Sequence, residues 1–378
     1  MSRPTNVIVN LGALRANYRL ARRVHGGRAL AVIKANAYGH GSLACADALG
    51  AEADGFAVAF LDEAVTLRSA GVRNPILILE GVFNEAELQL ASKLDLWLVV
   101  HHDEQIKMLE SSRIDASSLH VWLKIDSGMH RAGLACAVAR NAYERLQTTG
   151  KVRAITLMTH FACADDPNRA MTAEQIERFD AATFDLPGDR SMCNSAALLW
   201  WPKARRDWGR PGLMLYGISP EGCELPNLQP VMSFCSRIFG IRDVPAGESL
   251  GYGATYVTKQ PMRVGLVCAG YADGYPQTAP SGTPVAVNGH RTMLVGRVSM
   301  DMLMVDLTRV PDAIIGSEVE LWGQTIRVTE IAKAAGRIPY ELVCNVRRAR
   351  ITYDTAMLAP DEPNEVGAGA ESYRTGTG

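Results

Sequence analysis

Ala31-Val-Ile-Lys34-Ala-Asn-Ala-Tyr38-Gly-His-Gly41 begins as an apolar strand, ends that strand on a lysine and breaks into a glycine-flanked loop. Burying an ammonium is expensive, so lysine seldom closes a buried strand without a reason. Two reasons compete. The lysine can snorkel at a barrel rim, or it can be a nucleophilic amine that forms a Schiff base with a carbonyl compound.

Working outward, short apolar runs recur at Ala29–Lys34, Gly55–Ala59, Pro75–Glu80, Leu96–His101, Leu119–Ile125, Ala154–His160, Ser191–Asn194 and Gly212–Gly217. Most are continuously apolar, as strands covered on both faces require. Segments with helical spacing (Leu61–Ala70, Ala137–Thr148, Thr172–Thr183) lie between them. This alternation predicts an α/β fold, an N-terminal (β/α)8 TIM-like barrel over residues 11–228. An open doubly wound sheet would usually carry a GxGxxG turn after its first strand, and none is present.

Beyond about residue 228 proline, glycine and β-branched residues become frequent. Ser233–Arg242, Met262–Cys268, Thr283–Val287, Arg291–Val295, Leu303–Leu307 and Glu318–Leu321 read as strands of a mainly β C-terminal domain, residues 229–359. Residues 1–10 precede the barrel and are expected to add a strand to the β domain. The tail, 360–378, is poor in apolar residues and is expected to be disordered.

Bulk properties narrow the function. The 39 Lys and Arg nearly balance the 40 Asp and Glu, which leaves no basic field for nucleic acid or membrane phosphates. No apolar run is long enough to span a bilayer, and the first residues lack a signal peptide's apolar core. The 8 cysteines are scattered without a CxxC pair, as reduced thiols would be. No HExxH or HxH spacing suggests a metal. These features predict a soluble cytoplasmic protein.

Barrel enzymes place their chemistry at the C-terminal strand ends. Lys34, Arg131, His160, Asn194 and Ser195 follow predicted strands one, five, six and seven, and Arg210 stands just before predicted strand eight.

Val32-Ile-Lys-Ala-Asn-Ala-Tyr-Gly-His-Gly41, Lys124-Ile-Asp-Ser-Gly-Met-His-Arg-Ala-Gly133, Thr159-His-Phe-Ala-Cys-Ala-Asp165, Cys193-Asn-Ser-Ala-Ala-Leu198, Gly209-Arg-Pro-Gly-Leu-Met-Leu-Tyr-Gly217, Gly251-Tyr-Gly-Ala-Thr-Tyr256, Gly270-Tyr-Ala-Asp-Gly-Tyr275 and Gly296-Arg-Val-Ser-Met-Asp301 occur in that order. Together they resemble the alanine racemases, pyridoxal-phosphate enzymes that interconvert L- and D-alanine. The resemblance runs from about residue 5 to 350.

It implies that Lys34 carries the pyridoxal 5′-phosphate covalently and serves as the base on one face of the substrate. Tyr252 would be the base on the other. Arg210 would face the pyridine nitrogen, where many other pyridoxal enzymes place a carboxylate. Tyr38, Ser195 and the backbone of Gly212 would hold the phosphate, with His160 and Asn194 behind Arg210. Arg131, the backbone of Met300 and Tyr271 would bind substrate. Lys124 would be carbamylated, becoming an anion that orients Arg131. A homodimer with shared active sites is implied as well.

The resemblance weakens in Cys344-Asn-Val-Arg-Arg-Ala-Arg350, where relatives carry a pocket tyrosine; Tyr353 is the candidate replacement. That leaves serine open beside alanine as substrate. Two rivals remain: a decarboxylase of the same architecture, which would need a carboxylate where Arg210 stands, and a non-catalytic cofactor carrier, which would lack the β domain.

Overall fold

The computed structural model describes residues 3–220, 225 and 227–355. The tail expected to be disordered, 360–378, lies outside the described residues, as do residues 1 and 2.

The first unit is a parallel sheet of eight strands in barrel order: Arg28–Val32, Gly55–Val58, Ile76–Ile78, Trp97–Val100, Leu119–Asp126, Val152–Met158, Arg190–Ser191 and Trp208–Gly209, the last returning to pair with Arg28 and Ala29. The gap between the last two strands is bridged by individual bonds. Ser191 Oγ donates to Trp208 O at 2.8 Å and the Arg210 amide donates to Cys193 O at 2.9 Å.

One expectation is corrected. The eighth strand is Trp208–Gly209, not 212–217, and Leu213–Tyr216 forms a 3-10 turn. A continuous apolar run suits a buried turn as well as a buried strand, so periodicity cannot separate the two. The correction moves Arg210 from before the eighth strand to its C-terminal end, on the same rim as Lys34.

The other end of the barrel is plugged. Trp97 and Trp208, from strands four and eight on opposite sides of the sheet, meet with ring centroids 5.5 Å apart, and Trp122 lies 5.8 Å from Trp208. Bulky interior side chains fill a small barrel at this end, so the polar groups gather at the open rim.

The second unit is antiparallel. Met262–Val267, Leu303–Asp306, His290–Val295, Pro284–Val287, Glu318–Trp322 and Met232–Val244 follow one another, and Met262–Val267 pairs again with Met232–Val244 to close the circuit. Asn6–Asn10 extends this sheet, antiparallel to Met232–Cys235 and parallel to Arg350–Asp354. All six predicted β-domain strands are present. The strand Arg350–Asp354, the helices Val328–Ala335 and Pro339–Cys344 and a short hairpin of Ser249–Leu250 with Tyr256–Val257 also belong to the domain.

Asn10 joins the two units. It ends the β-domain strand, and its side-chain oxygen accepts from Ala13 N at 2.8 Å to cap Leu11–His25, the first barrel helix.

Candidate active site

Lys34 lies just beyond the first barrel strand, at the entry to a left-handed turn. Ala35, Asn36, Ala37 and Tyr38 have φ of 53°, 54°, 54° and 52°. Four consecutive non-glycine residues there are costly, roughly 1–2 kcal/mol each. Several bonds hold the turn. Ala37 N donates to Ile33 O at 2.8 Å, Gly41 N to Asn36 O at 2.9 Å, and Ser42 N to the Asn36 side chain at 2.9 Å. His40, fully buried, stacks on Tyr216 at 4.4 Å, and its Nδ1 bonds the carbonyls of Ala37 and Tyr38. Gly39 has no room for a side chain, since a Cβ would lie 2.2 Å from Val343 O.

The turn delivers the Tyr38 hydroxyl to Gly212, where a Cβ would sit 2.7 Å from it. The amides of Gly212 and Met214 both point at Ser195 Oγ, at 2.9 and 3.2 Å. Two N–H groups and two hydroxyls converging on one spot suit an oxyanion such as phosphate.

Arg210 is 4% exposed. It donates to Ser191 Oγ, to Thr159 O at 2.7 Å and to Met192 O at 3.4 Å, and Nη2 lies 3.4 Å from His160 Nδ1. All these partners are neutral, and among the described residues no carboxylate is within ion-pair distance. Burial lowers its pKa to about 10, so it stays protonated near neutrality. Since a guanidinium only donates, His160 must accept through Nδ1. Burial, then Arg210, Lys124, Arg131 and Lys34, push the His160 pKa well below the usual range, so its ring is neutral.

Lys124, on strand five, is 8% exposed. Burial, with Arg210, Arg131 and Lys34 acting against Glu80, lowers its pKa to about 8. Arg131 is exposed at the rim, within electrostatic reach of Lys124 and His160. Asn194 caps the helix Ser195–Trp200 by accepting from Ala197 N at 3.0 Å; among the described residues it makes no bond to Arg210, unlike His160.

Lys34, Tyr38, Lys124, Arg131, His160, Asn194, Ser195, Arg210 and Gly212 therefore share one rim. Tyr252, Tyr271 and Met300 do not join it within the chain. They are 71%, 40% and 53% exposed, on the β domain. Tyr271 N donates to Ser299 O at 3.1 Å and Ala272 N to Met300 O at 3.0 Å, which joins two of them. Met304 Cε lies 2.8 Å from where a Cβ would stand on both Gly251, which precedes Tyr252, and Gly296, which opens the segment leading to Met300.

Tyr353 packs against Gly41, its hydroxyl 2.0 Å from where a Cβ would be. Two other rings lie beside Tyr38, those of Tyr216 at 4.8 Å and Tyr340 at 5.8 Å. Sequence reasoning also passed over Ser191, Thr159, Glu80 and Tyr216, whose hydroxyl donates to Val32 O at 2.9 Å. Their parts come from tertiary proximity, which leaves no local pattern.

Comparison with known proteins agrees with this geometry. The family models "Alanine racemase, N-terminal domain" and "Alanine racemase, C-terminal domain" match residues 9–220 and 231–353. An alanine racemase from Azoarcus sp. is 58% identical over 93% of this chain and 99% of its own. A catabolic alanine racemase from Pseudomonas putida is 53% identical over 93% and 99%. Among solved structures, the biosynthetic alanine racemase of Pseudomonas aeruginosa superposes with a TM-score of 0.90 at 47% identity, covering 93% of this chain and 99% of that one. That of Bartonella henselae, with covalently bound pyridoxal phosphate, gives 0.84 at 25% identity over 93% and 99%. With both family models matched in order across nearly all its length, the chain belongs to the alanine racemase family.

Proposed function

We propose that this chain is a pyridoxal 5′-phosphate-dependent racemase of alanine, acting as an isologous homodimer in which the partner's β domain completes each barrel rim. The observation that carries this reading is the division of the site. The amine, the oxyanion cradle and a buried guanidinium with no carboxylate partner among the described residues share the barrel rim, while a second candidate base stands in solvent on the β domain. The barrel unit spans 11–228, and the β unit comprises 1–10 and 229–359.

The residues fit the cofactor. Tyr38, Ser195 and the amides of Gly212 and Met214 would hold its phosphate, and Arg210 its ring nitrogen. When bound, the cofactor supplies an aldehyde that condenses with amines and a ring that draws electron density from the substrate's α-carbon. Arg210 keeps its own proton, so it would leave the ring nitrogen unprotonated and the ring a weak electron sink. That favours prompt return of the proton to the α-carbon over side reactions. His160 accepts from Arg210, helping to fix the plane of the guanidinium.

Lys34 Nζ takes or returns the α-proton on the D face and the Tyr252 hydroxyl on the L face. Racemisation needs such a pair, because one base on one face can only restore the enantiomer it started from. Arg131, Tyr271 and the Met300 amide bind the substrate carboxylate end.

Lys124 is suited to carbamylation. With its pKa near 8, about a tenth of the amine is free at neutral pH. The free amine adds to carbon dioxide, forming an N–C bond and releasing a proton, and the product is an anion beside Arg131. The described cysteines are all free thiols, which fits the reducing cytoplasm. No helix among the described residues is long and apolar enough to cross a membrane.

The test is to incubate the protein with L-alanine and follow D-alanine. The reading predicts an equal mixture, abolished in Lys34→Ala. Carbon dioxide release without D-alanine would assign decarboxylation instead.

A further inference from the structure

The left-handed turn after Lys34 is held from outside as well as from within. Glu63 is the third residue of the helix Leu61–Ser69, which follows the second barrel strand. One carboxylate oxygen, Oε1, accepts the amide of Ala35, the residue after Lys34, at 2.6 Å. The other, Oε2, accepts Ala59 N at 2.7 Å and Phe60 N at 3.2 Å, where the second strand ends. A single carboxylate thus clamps the C-terminal ends of two neighbouring strands, and one jaw closes on the peptide adjoining the lysine. The turn it grips is exposed at Ala35 and Asn36 and strained through Tyr38. Packing alone does not hold that peptide in place.

We propose that Glu63 is a positioning residue for Lys34. By fixing the Ala35 amide it sets the direction in which the lysine side chain leaves the backbone, and so the approach of Nζ to a carbonyl compound in the barrel rim. Only an ionised carboxylate does this fully, because it accepts on both oxygens at once. An amide offers one acceptor, and its NH2 must then face an N–H on the other side. The inference rests on Lys34 being the cofactor lysine.

The test uses cofactor-free full-length protein and two ligands. Pyridoxal 5′-phosphate reports the phosphate cradle together with the lysine. 4′-Deoxypyridoxine 5′-phosphate has no aldehyde and reports the cradle alone. Glu63→Gln should weaken or slow covalent capture of pyridoxal 5′-phosphate on the order of ten- to a hundredfold, the usual effect of displacing a reacting group by about 1 Å. Its affinity for the deoxy compound should stay within about twofold. In a Lys34→Ala background, Glu63→Gln should have no further effect on either ligand.

Equal loss for both ligands would make Glu63 a general support of the rim and overturn the proposal; so would no loss for either. Glu63→Asp, a methylene too short to span both strand ends, provides a second carboxylate. It should behave like Glu63→Gln, and wild-type capture by Glu63→Asp would also overturn it. The lysine assignment is tested separately, since it fails only if Lys34→Ala still binds pyridoxal 5′-phosphate more tightly than the deoxy compound.

Discussion

Arg210 and His160 meet with the guanidinium Nη2 3.4 Å from the imidazole Nδ1, and both are held to strand ends of the barrel. The pair shows how the rim is tuned. A buried cation with no carboxylate partner among the described residues is made tolerable by neutral acceptors, and the histidine that serves as one is kept neutral first by burial and then by the same cation.

Replacing Arg210 by glutamate should therefore change the course of the reaction as well as its speed. A carboxylate would let the ring nitrogen take a proton and become a stronger electron sink. Racemisation should fall on the order of 10²-fold or more, while transamination, read as pyruvate formed from alanine, should rise relative to it. An unchanged ratio of the two products would show that Arg210 does not set the ring's electronics.

Gly212→Ala probes the phosphate cradle. The new Cβ would stand 2.7 Å from the Tyr38 hydroxyl but 3.5 Å from the ring carbon that bears it. Cofactor affinity should drop about tenfold or more by displacement of the hydroxyl. Adding Tyr38→Phe should remove the clash, so that the double variant binds no worse than Tyr38→Phe alone. A double variant that sums both losses would place the hydroxyl elsewhere.

Buried histidines give the protein an acid limit. Burial lowers the His40 and His120 pKa values to about 4 and holds that of His160 well below the ordinary value of 6.5. The unfolded chain then binds more protons than the folded one as pH falls below about 6.5, so stability is lost from there down to about 4. For His40, fully buried, this amounts to roughly 2 kcal/mol between about pH 7 and pH 5. Urea unfolding at the two pH values should show the loss, and His40→Phe should make it smaller. A flat profile would contradict the assignment of neutral buried rings.

The shared site can be tested by mixing. Lys34→Ala and Tyr252→Phe should each be nearly inactive. In a mixed dimer one of the two sites has both wild-type bases, because each barrel meets the partner's β domain. With random exchange of subunits, about a quarter of wild-type activity should return. No recovery despite demonstrated exchange would place both bases of a site on one chain.

The sequence made much of this legible. Continuous apolar runs located seven barrel strands, and the β-domain strands stood out by composition. The eighth strand was misplaced because Leu213–Tyr216 is as apolar as a strand and only its hydrogen bonding makes it a turn. Lys34 and Ser195 could be named because polar residues at strand ends are conspicuous, and Arg210 through the resemblance of the segment Gly209–Gly217. Glu63 could not, since a glutamate early in a helix reads as an ordinary cap, and its reach to Ala35 exists only once two strands lie side by side. Tyr340 was hidden similarly, being brought to Tyr38 by packing between domains.

The central claim is that Lys34 and Tyr252 work on opposite faces of one substrate. Net rates cannot assign the faces, because L- and D-alanine have equal free energy and kcat/KM must fall equally in both directions. Solvent exchange can, since it needs only one working face. In Tyr252→Phe, racemisation should fall on the order of 10²–10⁴-fold. With cofactor bound and Lys34 intact, D-alanine in heavy water should still exchange its α-proton, and L-alanine should not. Loss of exchange from both enantiomers, or its persistence in both, would contradict the two-base account.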